Sequence, residues 1–168
     1  MKKVLTILVI STIAITSFSC KKVEGPAGPT GPQGPQGAAG NANVLSTVYN
    51  VSSANWGWDA TYALWYADLI APDVTNAVMS NGAVMCYMVY SSGANQALPF
   101  SYHDFEWAYF FNVGLVEVQL QAADGSTLSN PGATTFRIVV IPPAARMAHP
   151  HLNLKDYSQV KAAYNLKD

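Results

Sequence analysis

Charged residues are scarce in this chain of 168 residues, where Asp, Glu, Lys and Arg make up 11%, against about a quarter in an average soluble domain. From residue 41 onward, five basic residues stand against nine acidic ones, a net charge of −4, and the basic residues form no cluster. Proteins bind the phosphate backbone of nucleic acids through clustered Lys and Arg. The composition therefore excludes nucleic acid as a partner.

Cysteine is equally rare, because the chain has only Cys20 and Cys86. If Cys20 is consumed by modification, Cys86 has no intrachain partner. Cys86 lies in an apolar run, residues 83–89, where cysteine behaves as a small buried hydrophobic residue. We therefore expect a domain that folds without disulfides and a Cys86 side chain that is buried, in preference to a reactive thiol.

The N-terminus has the pattern of a bacterial secretion signal. Lys2 and Lys3 precede an apolar stretch at residues 4–15, which is shorter than the about 20 residues that span a bilayer. A positive start followed by a short apolar stretch is typical of a cleaved signal. We predict a signal peptide over residues 1–19.

Cys20 ends this signal in the manner of the lipobox of bacterial lipoproteins. It follows the small residue Ser19, although Ser17 and Phe18 stand where the commonest lipobox has an aliphatic and a small residue. Two or three acyl chains make a stable membrane anchor, whereas one does not. We predict a lipidated N-terminus over residues 20–24, with palmitate-type acylation at Cys20 as the link to the membrane.

A collagen-like segment follows at residues 25–42. Four of its six triplets carry proline directly after the glycine, and the glycines recur at a period of three: Gly25, Gly28, Gly31, Gly34, Gly37 and Gly40. Glycine at every third position is what three polyproline-II chains need around a common axis. The segment therefore predicts a homotrimer. The alternative is a proline-rich spacer that stands alone, since six triplets make a short triple helix.

From residue 43 to residue 168 the sequence predicts a mainly β globular domain. Residues 56–59 are interpreted as a turn, and residues 103–104 as the tip of a hairpin. Residues 82–90 are apolar on both faces and are expected to be central. The predicted strands are 44–51, 61–70, 82–90, 98–102, 105–111, 114–121 and 134–141. About seven strands at short spacing favour an antiparallel β-sandwich, with a jelly roll or an open barrel as alternatives.

One or two short helices accompany these strands. Pro72 is a natural first helical residue, and Asn81 with Gly82 is a natural stop, so one helix is predicted between them. Asp156 is expected to cap a second helix over residues 157–166. Pro142 and Pro143 are expected to end the last strand.

No motif for chemistry is strong enough to assign a cofactor or metal, and none is predicted. His149 and His151 could chelate, but a metal site needs three or four ligands, and the proline between them favours a surface loop. His103 beside Asp104 is adequately explained as a turn. We predict that the protein is not an enzyme.

Aromatic residues are the remaining candidates for binding. Trp56 and Trp58 lie in the predicted turn and are therefore expected to be the most exposed tryptophans, able to stack on a sugar ring. The alternative, which we favour for the aromatic residues as a group, is that they fill the core or a subunit interface.

The whole arrangement resembles bacterial collagen-like lipoproteins. The resemblance rests on the Cys20 signal, the Gly-Pro triplets, the strand entry at residues 81–84, and residues 148–150, 156–157 and 160–161. It implies the architecture and the localisation and no particular activity. We therefore expect a structural or interaction lipoprotein of the cell envelope. We expect it in the outer membrane, with exposure at the cell surface left open, and its protein or glycan ligand is unknown. The alternatives are a carbohydrate-binding surface lipoprotein and a lipid-anchored hydrolase.

Overall fold

The computed structural model describes residues 43–167. They form two antiparallel β-sheets and three α-helices, which confirms the prediction of a mainly β fold. The predicted signal peptide, Cys20 and the Gly-X-Y segment lie outside the described residues. Within residues 43–167, none of the helices combines the length and the apolar character that a membrane crossing requires.

The described residues contain nine strands, and their bounds are as follows. They are β1 (Leu45–Val51), β2 (Gly57–Asp59), β3 (Leu64–Ala71), β4 (Ala83–Val89), β5 (Asn95–Ala97), β6 (Phe100–Tyr102), β7 (Phe105–Asn112), β8 (Gly114–Ala122) and β9 (Thr134–Ile141). The helices are α1 (Asn76–Asn81), α2 (Pro143–Ala148) and α3 (Tyr157–Tyr164), with one turn of 3-10 helix at Ser53–Asn55.

Sheet A has the strand order β1-β9-β4-β5, and sheet B has the order β2-β3-β8-β7-β6. Side chains from both sheets belong to one hydrophobic cluster. Its fully buried members include Cys86 of β4, Val116 and Val118 of β8, and Phe136 and Ile138 of β9. The main core is therefore shared by the two sheets, and alternate residues of their longer strands supply it.

The opposite face of sheet A is covered by helices. Tyr87 of β4 and Val139 of β9 pack there in a second hydrophobic cluster, with Ala145 of α2 and Val160 and Tyr164 of α3. β4 and β9 are thus buried on both faces, which is why residues 83–89 read as a continuous apolar run. The prediction that this strand is central is confirmed, because β4 lies between β9 and β5.

Several local predictions are also confirmed. β6 and β7 form the expected hairpin, with Tyr102 paired to Phe105 and His103 at a positive φ of 51° at its tip. Asp156 caps α3, since its Oδ1 accepts hydrogen bonds from the backbone N–H groups of Ser158 and Gln159. The capping side chain and the N–H groups that it binds lie within four residues in sequence, so the cap could be predicted from the local sequence.

The predicted turn at residues 56–59 is wrong, because three of its residues form β2. Gly57 pairs with Tyr66 of β3, and the Tyr66 ring lies so close that a Cβ at Gly57 would come within 2.5 Å of its Cζ atom. The ring covers the glycine, which offers no side chain of its own to pack. A cross-strand aromatic residue of this kind supports a strand that glycine alone would weaken.

The helices differ from prediction in number and in two boundaries, since α3 ends at Tyr164 and not at Leu166. α1 begins at Asn76 and not at Pro72, because the Thr75 side chain accepts a hydrogen bond from the backbone N–H of Val78 and so caps it. α2 was not predicted at all. Pro142 does end β9, but Pro143 is the first residue of α2, a position where the missing N–H costs nothing.

Candidate ligand-binding cleft

Trp56 is buried, with 6% of its surface exposed, so the expectation that it is among the most exposed tryptophans is wrong. Its burial agrees with the alternative favoured for the aromatic residues as a group, that they fill the core. Its ring packs against those of Trp107 and Phe136, at centroid distances of 6.0 and 6.1 Å. Its Nε1 donates a hydrogen bond of 2.8 Å to the carbonyl oxygen of Gly132. The indole therefore packs among apolar side chains while its N–H has an acceptor, so Trp56 is part of the hydrophobic core.

Trp58, the other predicted stacking residue, is half-buried. It pairs with Trp65 across β2 and β3, with ring centroids 5.2 Å apart. Trp65 in turn donates from its Nε1 to the carbonyl oxygen of Leu128, at 2.9 Å. The structure thus separates the two predicted residues: Trp56 joins the core, while Trp58 packs on a neighbouring indole.

The long connection between β8 and β9 is held in place by these tryptophans. Its residues Leu128 and Gly132 accept the two indole hydrogen bonds. Asn130 adds two more contacts, donating from Nδ2 to the Ser53 carbonyl oxygen at 3.0 Å and accepting at Oδ1 from the Gly132 N–H at 2.8 Å. A segment without regular secondary structure is therefore fixed at several points along its length.

Trp107 borders two cavities at this connection, with volumes of about 500 and about 470 Å³, and both are also lined by Pro131. We call the two together the Trp107 cleft. Tyr90 lines the first cavity and Phe105 the second, with 45% and 41% of their surfaces exposed. Open apolar cavities with polar groups at fixed positions are the usual form of a ligand site.

The lining of the Trp107 cleft is neutral. Among the residues that border it in the described part of the chain, none is charged, and the polar ones carry hydroxyl groups: Ser91, Thr127, Ser129, Thr134 and Thr135. The acidic side chains of sheet B lie on its opposite face, where Asp68 and Glu117 stand directly opposite each other in register. The charged side chains on the strands of sheet B thus point away from the cleft.

No histidine of the described residues lines either cavity of the Trp107 cleft. His149 packs edge-on against Tyr164, at 5.1 Å between centroids, and His103 against Tyr102, at 4.3 Å. In residues 43–167, no three His, Cys, Asp or Glu side chains converge as a metal site would require.

Cys86 is fully buried and free, as predicted. Burial raises the pKa of its thiol far above the ordinary value, because the thiolate would have to exist among apolar side chains. The side chain belongs to the shared core of the two sheets and lies outside the cleft.

One edge of each sheet is left open on the same side. β1 has a single neighbour, β9, and β2 pairs only with the first three residues of β3. A cavity of about 270 Å³ separates β1 from the second half of β3. Leu45 and Val48, on opposite faces of the edge strand β1, and Ile70, on the outer face of β3, are exposed at 44%, 43% and 70%. We call this the open edge.

No known protein family matches the chain, and neither a curated protein nor a solved structure is significantly similar to it. The resemblance to collagen-like lipoproteins therefore stays a prediction.

Sequence reasoning did not single out Trp107 from the other aromatic residues. Side chains along β7 alternate between the two faces of sheet B. This alternation does not show that Trp107 borders a cleft. The available signal was the hydroxyl-rich segment around Pro131, which has neither the charge of a solvated loop nor the apolar pattern of a strand.

Proposed function

We propose that this protein is a membrane-anchored, non-enzymatic interaction lipoprotein, held by acyl chains at Cys20. In this proposal the Gly-X-Y segment of residues 25–42 is a stalk, and the described residues form a β-sandwich head. The mature chain is an outer membrane lipoprotein, because Lys21 and not aspartate follows the lipidated cysteine, so the simplest signal for retention in the inner membrane is missing. Its role is contact with an envelope or extracellular ligand.

The observation that carries this proposal is the continuity between the Gly-X-Y run and an unprotected edge strand. The last triplet ends at Ala42, and β1 begins at Leu45. β1 contains no charged residue, proline or glycine, which are the residues that usually keep an edge strand from pairing with another chain.

A homotrimer accounts for both features. Three chains that leave one triple helix must enter their heads close to a common axis, and each enters through β1. The exposed apolar side chains Leu45, Val48 and Ile70 at the open edge would then be covered by the neighbouring copies. Linking three heads in this way raises their effective concentration and supports even a small interface.

The trimer is tested by measuring the mass of the chain from Lys21 to Asp168 by light scattering. We expect three times the monomer mass, and we expect a Gly31→Ala variant to lose it on mild heating, because only glycine fits at the axis. A monomer at every concentration would show that the segment is a spacer.

The anchor is tested separately on the full chain. The wild type should partition into the detergent phase of a Triton X-114 extract, and a Cys20→Ala variant should not. If the variant still partitions like the wild type, Cys20 is not the anchor.

A further inference from the structure

We infer that the Trp107 cleft binds a neutral glycan chain, with one sugar ring stacked on the Trp107 indole and its neighbours extending toward Tyr90 and Phe105. This inference rests on the proposed function, since it names the ligand class of the head. It replaces Trp56 and Trp58, the residues that the sequence favours, by a different set.

Trp107 is available for a ligand in a way that Trp56 and Trp65 are not. Those two indoles give their N–H groups to Gly132 and Leu128. No acceptor for the Trp107 N–H is found among residues 43–167, although the ring itself is fixed by Trp56 and Phe136 at 6.0 and 5.9 Å. A fixed ring loses little conformational entropy when a ligand stacks on it.

The polar groups around this ring match sugar hydroxyls. Ser91, Thr127 and Ser129 are exposed and border the cleft. Hydroxyl groups both donate and accept, so they can pair with the hydroxyl groups of a sugar in either direction. An entirely apolar ligand would strip water from these groups without replacing its hydrogen bonds, which costs free energy.

The charge of the cleft excludes acidic and basic sugars as preferred ligands. No charged side chain of the described residues borders it, so a carboxylate, sulfate or ammonium group would lose hydration there without gaining a counter-charge. A neutral sugar has no charged group whose hydration would be lost in the cleft. The ligand class that fits best is therefore a neutral polysaccharide or oligosaccharide.

The shape of the cleft indicates a chain and not a single sugar. The lining of one cavity includes Tyr90 and Thr135, and the lining of the other includes Phe105 and Ser129. Trp107 and Pro131 border both cavities. A ligand that used both would pass over the indole. Pro131 lies in the connection that the two indole hydrogen bonds hold in place, so this site is formed before the ligand arrives.

The experiment titrates the chain from Lys21 to Asp168 with cellohexaose, maltohexaose, xylohexaose and chitohexaose, followed by tryptophan fluorescence and calorimetry. We expect at least one of them to bind. The variant Trp107→Ala should weaken binding about tenfold, and Trp107→Phe should weaken it less, because a phenyl ring still stacks. The matched control is Phe110→Ala, an exposed aromatic residue of the same strand on the opposite face of sheet B, which should leave the affinity unchanged.

Because Trp107 also contacts the core, Tyr90→Ala provides a second test with a side chain at the surface. It should weaken binding severalfold at an unchanged melting temperature. The inference is overturned if none of the four hexasaccharides binds at about 10 mM, or if Trp107→Ala and Tyr90→Ala both bind like wild type. It is also overturned if an apolar dye occupies the cleft and no hexasaccharide displaces it. Trimer mass and detergent partitioning are measured independently. A negative result for glycan binding therefore does not contradict the proposed membrane anchor, stalk and trimer.

Discussion

The hydroxyl group of Tyr49 donates a hydrogen bond of 2.8 Å to the carbonyl oxygen of Ile70. Tyr49 belongs to β1, the edge of sheet A, and Ile70 to the half of β3 that β2 leaves unpaired. The bond therefore joins the two sheets at the open edge, where neither strand has another neighbour on that side within residues 43–167. Burial and the nearby Asp73 carboxylate raise the pKa of this hydroxyl, so it stays a donor under ordinary conditions.

Removing this hydroxyl should loosen the edge. We expect Tyr49→Phe to lower the free energy of unfolding by about 1 kcal/mol, the usual net value of one hydrogen bond, measured by urea denaturation. Tyr62→Phe is the control, because Tyr62 is 71% exposed in the turn before β3 and should cost nothing. Equal stabilities for the two variants would show that the contact does not hold the sheets together.

A second bridge between the sheets makes stability depend on alkaline pH. Tyr109 of β7 donates a hydrogen bond of 2.8 Å to the Val84 carbonyl oxygen of β4, and burial raises its pKa to about 12. Burial also raises the pKa of Tyr87. The folded state thus keeps protons that the unfolded chain releases above its ordinary pKa of about 10, so stability is full below about pH 10 and falls as the pH rises toward 12.

We expect the urea midpoint to fall between about pH 10 and about pH 11.5, and we expect this dependence on pH to be weaker in Tyr109→Phe. Partial exposure limits the contribution of Tyr109 to about 1 kcal/mol. A pH profile that is the same in the variant would contradict the assignment of this proton to Tyr109.

The strands were predictable where one local pattern decided them. The alternation of Val116, Val118 and Leu120 marks β8, and the double-sided apolar run marks β4, because a period of two and a continuous run are properties of the sequence itself. The cap at Asp156 was predictable for the same reason.

The remainder depends on partners that are distant in sequence. Gly57 belongs to a strand because Tyr66 covers it, and Trp56 is buried because Gly132 accepts its N–H. Arg137, the buried charged residue of the described part, is held by Asn95 and Ser46 at 3.2 Å each and lies over the Tyr157 ring at 4.7 Å. No window of adjacent residues contains these relationships, so the location of the cleft could not be predicted.

Glycine at position 82 is required by packing. Its φ of −91° is open to any residue, but a Cβ there would come within 2.5 Å of the Ile141 carbonyl oxygen and 2.8 Å of the Val78 Cα atom. Both are backbone atoms that cannot move without displacing β9 or α1. We expect Gly82→Ala to destabilise the domain by about 2 kcal/mol or more.

The matched control is Gly57→Ala, where the obstructing atoms are the end of the Tyr66 side chain, which can rotate away. Gly57→Ala should lower the free energy of unfolding clearly less than Gly82→Ala does in the same thermal or urea measurement. If the two substitutions cost the same, the close approach at Gly82 is not a constraint on the fold.

The open edge should be sensitive to a charge if it is covered in the trimer. We expect Val48→Lys, on β1, to shift the chain from Lys21 to Asp168 toward monomer in dilution series followed by light scattering, because lysine on an edge strand opposes association. Met147→Lys is the control, an equally apolar side chain that is 72% exposed on α2. Identical dilution curves for the two variants would show that the stalk alone holds the chains together.

The thiol of Cys86 should report global unfolding. In the chain from Lys21 to Asp168 it is the single cysteine, it is fully buried, and burial raises its pKa, so the reactive thiolate is both scarce and inaccessible in the folded state. We expect no reaction with Ellman's reagent in the native protein at pH 8 and full reaction in urea. Below the transition, labelling should follow the rate of global opening, because Cys86 lies in the core that both sheets share. Fast labelling of the native protein, at a rate independent of urea, would mean that the sheets separate locally at β4 and would contradict the packing of this core.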